Sequence, residues 1–120
     1  MQERQKAEEG AQAAAALKER KQDLEADPND PVMGNPTGAI TMVEFFDYRC
    51  GYCKRVFPTV MKVLNDNPSV RYVIKEFPIL GPESVTASRA SLAVWRTQKA
   101  KYGAFHAADG GTLFLDEIGE

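Results

Sequence analysis

The feature that most narrows the folds open to this chain is a change of hydrophobic period on either side of one short segment. Residues 39–48, AITMVEFFDY, are β-branched and aromatic with a nearly continuous apolar face, as expected of a strand covered on both sides. The chain then turns at Arg49 and enters a stretch in which Phe57, Val60, Met61 and Leu64 recur at helical spacing, making one apolar stripe. Residues 65–68 end that helix, and residues 70–77, VRYVIKEF, read as a second strand. Strand, helix, strand predicts a βαβ unit with parallel strands and a right-handed crossover. From Glu83 to about Ala108 the sequence reads as one further helix, opened by Gly81 and Pro82 and carrying Val85, Leu92, Trp95, Tyr102 and Phe105.

The flanks are simpler. Residues 1–26 are rich in Ala, Glu, Gln, Lys and Arg, which lose least on entering a helix, so a helix is expected there. Leu17 and Leu24 lie a heptad apart, but the apolar heptad is not sustained and Gly10 weakens the middle, which leaves two readings: an oligomerisation stalk or a solvated helix. Residues 27–38, DPNDPVMGNPTG, cannot propagate a helix or a central strand and read as a linker. With 120 residues, 43% of them hydrophobic, and a formal charge of -2, the chain is expected to form one soluble domain of modest core. Its cations are dispersed among acidic residues, which argues against a nucleic-acid partner. The apolar run at residues 13–17 is too short for a membrane span or the core of a signal peptide, so no export signal is read in the chain as written.

Both cysteines, Cys50 and Cys53, fall at the strand-to-helix junction, two residues apart. Four uses compete. A structural zinc site wants four Cys or His ligands, against two cysteines and the distant His106. A structural disulfide over so short a loop removes little entropy from the unfolded chain. Two unconnected buried thiols would ignore the βαβ setting. The redox reading fits best: Cys50 sits at the helix mouth, where orphan N–H groups and the helix dipole stabilise a thiolate, and Cys53 is placed one turn on to resolve a mixed disulfide.

At these residues the sequence resembles the thioredoxin superfamily, and within it the bacterial DsbA-like thiol:disulfide oxidoreductases. The resemblance runs from about Asp27 to Ala108 and rests on VEFFDYRCGYCKR, on Pro58 five residues after Cys53, and on KEFPILG at residues 75–81. It implies an α/β, partial thioredoxin-like fold, a βαβ unit plus a helical insertion, preceded by the N-terminal helix. It implies catalysis by Cys50 and Cys53, with Glu44 in the place of the buried acid that moves protons for the disulfide. An acid in an otherwise apolar strand would also have a raised pKa, although Glu44 on an alternating strand would instead face solvent. Gly51 and Tyr52 take the positions that tune the potential. Strong oxidants of the family carry a histidine before the second cysteine, whereas Gly-Tyr is the pair of bacterial isomerases. Pro58 resembles the family's helix-kinking proline and is assigned to shape. His106, a lone histidine beyond a helix, is expected at the surface. No metal or cofactor is implied. The implied partners are cysteine-bearing protein substrates and a redox partner protein, with self-association through residues 1–26 and a periplasmic setting.

Residues 109–120, DGGTLFLDEIGE, depart from that pattern and resemble the Walker B segment of NtrC-like AAA+ activators, with Asp116 and Glu117 in the places of its magnesium pair. No phosphate cradle of the form G-x-x-x-x-G-K-[ST] accompanies them, so nucleotide hydrolysis is not expected. The junction falls where a DsbA-like protein would continue into the rest of its insertion, its cis-proline loop and a closing ββα unit. A truncated oxidoreductase with a foreign tail is therefore expected, with two parallel strands whose edges are open. The competing expectation is a non-enzymatic fragment with ordinary thiols and a self-associating helix.

Overall fold

A computed structural model describes residues 2–108. Asp116 and Glu117 lie outside the described residues. Strand β1 (Val32–Gly34), strand β2 (Ile40–Phe46), helix α3 (Gly51–Asp66) and strand β3 (Val70–Glu76) follow helices α1 (Gln2–Glu19) and α2 (Lys21–Glu25). Helices α4 (Pro82–Thr97) and α5 (Lys99–Ala107) close the described chain. The fold is mixed α/β, a small sheet with helices behind an N-terminal helix, as the sequence leads one to expect.

The sheet has the order β1-β3-β2. Strands β2 and β3 are parallel, with Glu44 opposite Ile74 and Phe46 opposite Glu76, so the βαβ unit forms as read. One strand was not expected: residues 32–34 pair antiparallel to β3, Val32 opposite Val73. Three residues between prolines are too few to show a period, and at the edge of the sheet the neighbouring prolines break no ladder. The strand therefore covers one edge of β3, and among the described residues the outer edges of the sheet are those of β1 and β2. Gly34 ends β1 with φ of 75°, and a Cβ there would meet the Val70 carbonyl oxygen at 2.7 Å, so only glycine fits.

Alternation along β2 divides the two faces of the sheet. Met42 and Phe46 pack in the core with Leu64, Val70, Tyr72 and Ile74, and Glu44 shares their face. Burial of Phe46 and Ile74, both essentially complete, contributes about 2 kcal/mol each. Thr41, Val43 and Phe45 point the other way, towards Leu17 and Leu24 of the N-terminal helices. There Arg71 donates to the Glu25 carbonyl, while Lys75 donates to the Asp23 carbonyl and pairs with Asp30.

Two expectations need correction. The helix read as continuous from Glu83 is broken at Gln98, whose φ and ψ of -143° and 58° cannot belong to a helix, and α5 starts afresh. The residues that α4 buries are also not its large apolar ones: Ser84, Ala87, Ser88 and Ser91 face inward, while Val85 is exposed. Helix α1 buries none of its residues, and among the described residues no helix is long and apolar enough to cross a membrane.

Candidate active site

Helix α3 begins at Gly51, and Cys50 is its N-cap, with extended φ and ψ of -76° and 109°. In that conformation the Cys50 Sγ accepts the N–H of Cys53 at 3.2 Å, doing for a sulfur what serine or aspartate oxygens do at most helix starts. Both cysteines are free and partly exposed. The Cys50 thiol is held below its ordinary value by the Cys53 thiol and the Cys53 backbone N–H, which both favour its anion. Burial, with the Cys50 sulfur beside it, pushes the Cys53 thiol up to about 11. The two thiols are therefore shifted in opposite directions, Cys50 towards its thiolate and Cys53 towards its protonated form.

Glu44 lies on the core face of β2, partly buried, and burial raises its carboxyl above the ordinary range. Its charge is one of the influences that raise Cys53, which puts it within electrostatic reach of that thiol. Gly51 and Tyr52 are exposed at the helix mouth, and the Tyr52 ring, 75% exposed, stacks under the Arg55 guanidinium at 5.6 Å. Pro58 stands inside α3, and the stripe of Phe57, Val60, Met61 and Leu64 faces the core as read.

Sequence reading missed what holds the loop before Cys50. Asp47 is buried, and its Oδ1 accepts the Arg49 N–H at 2.8 Å while its Oδ2 accepts those of Ile79 and Leu80 at 2.9 and 3.0 Å. Burial works to raise the Asp47 carboxyl, but these donors outweigh it and hold it below the usual range. Its carbonyl accepts the Cys50 N–H at 3.0 Å. The Arg49 guanidinium donates to the Leu80 carbonyl and the Glu83 carboxylate at 3.0 and 3.1 Å, an exposed pair worth under ~1 kcal/mol.

Behind that loop lies a second polar cluster. His106 is completely buried, not at the surface: the break at Gln98 turns α5 back so that the ring enters a cage of Phe46, Tyr48, Phe57 and Tyr102. Its Nδ1 lies 3.0 Å from the Tyr48 hydroxyl, which reaches the Ser91 Oγ at 2.9 Å. Ser91 and Ser88 donate to the two oxygens of Glu76 at 2.6 and 2.9 Å. Burial pushes the Glu76 carboxyl up to about 7 and His106 down to about 4. The one available signal was the spacing of Ser84, Ser88 and Ser91, a polar stripe at helical period opposite an acid that ends a strand. Among the described residues no group of three or more His, Cys, Asp or Glu side chains is gathered as a metal would need.

The chain is similar in sequence and in fold to known proteins. A family model described as Thioredoxin matches residues 26–109. Disulfide bond formation protein D of Bacillus subtilis is 32% identical over 80 residues, which are 63% of this chain and 36% of that protein. The catalytic domain of Proteus mirabilis ScsC superposes with a TM-score of 0.77 at 33% identity, covering 81% of this chain and 55% of the other. A periplasmic thioredoxin-like protein from Salmonella enterica serovar Typhimurium gives a TM-score of 0.73 at 34% identity, over 75% and 52% of the two chains. The chain thus spans about a third of the curated relative and about half of the solved ones. Matched over most of its described length, with the cysteine pair at the mouth of α3, the chain belongs to the thioredoxin family.

Proposed function

We propose that this chain exchanges disulfides with cysteine-bearing proteins through Cys50 and Cys53. The observation that carries the reading is the capping of the α3 N-terminus by the Cys50 sulfur, which favours a thiolate at the more exposed end of the pair. The Cys50 thiolate attacks one sulfur of a substrate disulfide; a mixed disulfide forms and the other substrate sulfur leaves as thiolate. Cys53 then gives its proton to the Glu44 carboxylate and attacks the Cys50 sulfur. The Cys50–Cys53 disulfide forms, the substrate is released reduced by two electrons, and the reverse sequence oxidises a substrate dithiol.

Gly51 and Tyr52 bring no charge to the helix mouth, which favours isomerase or weak oxidase action over strong oxidation. The name of the Salmonella relative supports a periplasmic setting, and a redox partner protein would reset the pair. We take residues 1–26 as an arm for self-association, supported by an α1 that buries nothing. Residues 39–108, with β1 added to their sheet from the segment 27–38, form the exchange unit.

Mass-spectrometric alkylation near neutral pH tests the assignment. Cys50 is expected to be labelled first, and Cys53→Ser to accumulate mixed disulfides with substrate proteins that Cys50→Ser does not form. Faster labelling of Cys53, or both thiols at the rate of an ordinary cysteine, would overturn it.

A further inference from the structure

The cluster behind the Cys50 loop forms a chain whose bond directions are set by proton count. Ionised Glu76 can only accept, so the single proton of Ser91 is committed to Glu76 Oε1 at 2.6 Å, the shortest contact of the group. Ser91 Oγ is then left as an acceptor, and takes the Tyr48 O–H at 2.9 Å; the Tyr102 hydroxyl stands at 3.3 Å on its other side. With the Tyr48 proton on Ser91, Tyr48 accepts from His106, which then carries its proton on Nδ1. The lone pair of His106 Nε2 then faces the aromatic cage without a partner, a cheaper orphan than an N–H would be. Every donor therefore points at one carboxylate, through the residue that stands two positions before Cys50.

We infer that Glu76 is a positioning residue for Cys50, acting through Ser91 and Tyr48, and that Glu76, Ser91, Tyr48 and His106 form a proton wire. The inference rests on the reading of Cys50 as the nucleophile. When Glu76 is neutralised, each proton of the chain moves one place towards it: Ser91 gives its proton to Glu76, Tyr48 to Ser91, and His106 Nδ1 to Tyr48. The one proton gained from the medium ends on His106 Nε2, which local opening of the aromatic cage must admit, so the histidine changes tautomer without becoming charged. The Ser91–Glu76 bond loses its charge-assisted character, which is about half its strength, and with it the polarisation that strengthens the Tyr48–Ser91 bond. The Asp47–Arg49 loop then holds Cys50 less firmly against the Cys53 N–H, and its thiolate is less stabilised.

The groups that face Glu76 are compatible with this. Asp47 from the active-site loop and Asp30 from the segment before β1 add negative charge, Ser88 and Ser91 come from α4, and Tyr48 and Tyr102 stand in reach from the loop and α5. The cation Lys75 is spent on Asp30, so neutralisation is favoured near neutral pH, where burial has already brought Glu76 to about 7. His106, at about 4, stays uncharged through that step.

Because the chain has one histidine, its ring nitrogens can be followed without ambiguity by long-range proton–nitrogen correlation on the full 15N-labelled protein. The expected result is the Nδ1–H form at pH 8, passing to Nε2–H by pH 5.5. Cys50 alkylation should show an extra fall of about twofold at the same midpoint, beyond its own thiol titration, since a shift of about 0.3 in thiol pKa changes thiolate fraction by that factor. Ser91→Ala cuts the wire and frees the Tyr48 proton for His106 Nδ1, which should fix Nε2–H at both pH values and abolish the extra step. Glu76→Gln, nearly isosteric, should also abolish the step if Ser91→Ala fails to fold. An unchanged tautomer between pH 8 and 5.5, or a step that survives both substitutions, overturns the wire. A slow, ordinary Cys50 with a normal tautomer switch would sink the exchange reading and leave the wire standing.

Discussion

At the mouth of α3, backbone N–H groups converge on Asp47 and, with the Cys53 thiol, on Cys50; in the pocket between β3 and α4, the hydroxyls of Ser88 and Ser91 reach Glu76. Both regions bury an acid, yet Asp47 is held below its ordinary range and Glu76 far above it. An N–H cannot become an acceptor, so a ring of them favours the anion at any pH. A hydroxyl rotates and serves either protonation state, so it leaves burial free to raise the pKa. Fixed donors thus suit a group that must be charged, and reversible donors a group that must change.

The largest test of the fixed side is Asp47→Ala. Three N–H groups, of Arg49, Ile79 and Leu80, would lose their acceptor in a buried place, and a loss of about 3 kcal/mol is expected in denaturant unfolding. The native contribution of Asp47 should be present above the unfolded carboxylate pKa and vanish as pH falls through the lower folded one, so the variant's deficit should shrink in acid. The Asp47 charge also raises Cys50, so in the fraction still folded the thiolate absorbance should titrate no higher than in the native chain. A deficit that is the same at pH 2 and pH 7 would mean that the donors do not require the anion.

The reversible side makes a pH signature of intermediate size. Between pH 4.5 and 7 the folded chain binds more protons at Glu76 than the unfolded chain, so stability falls as pH rises through that window. His106 acts oppositely: between pH 4 and 6.5 the unfolded chain binds more protons, so stability rises with pH. The two slopes overlap and nearly cancel in the native protein. Glu76→Gln should expose the histidine slope below pH 6.5 and make the variant more stable at pH 8 by about 2 kcal/mol, with no gain at pH 4. Equal stability of variant and native chain at pH 8 would show that ionised Glu76 is as well served as Asp47, and the contrast would be lost.

The same contrast explains what the sequence could disclose. The strands at 40–46 and 70–76 and the stripe of α3 were legible because apolar periodicity reports burial against a single core. Cys50 and Cys53 were legible because their spacing at a strand-to-helix junction has few other uses. Glu44 was legible as a position, through its place on the apolar face of β2. Strand β1 was hidden because three residues carry no period. Ser88, Ser91 and His106 were hidden for a different reason: polar residues read as surface unless their partners are known, and those partners, Glu76 and Tyr48, lie 12 to 58 residues away in sequence. Asp47 escaped in the same way, since its partners at Ile79 and Leu80 are backbone groups with no residue type to recognise.

The smallest expected effect sharpens the fixed side at its source. Gly51 is the first residue of α3, and a Cβ added there meets nothing within 4 Å, so neither close packing nor a left-handed φ requires glycine. Gly51→Ala should therefore stabilise the fold by about 0.5 kcal/mol, by restricting the unfolded chain and favouring the helix. Because the donors to Cys50 are the thiol and N–H of Cys53 and the N–H of Tyr52, and an added methyl at Gly51 meets none of them, the Cys50 titration followed by thiolate absorbance should stay where it was. A rise in Cys50 pKa of a full unit would show that the sulfur depends on glycine's freedom at the helix mouth, and that the donors there are not fixed at all.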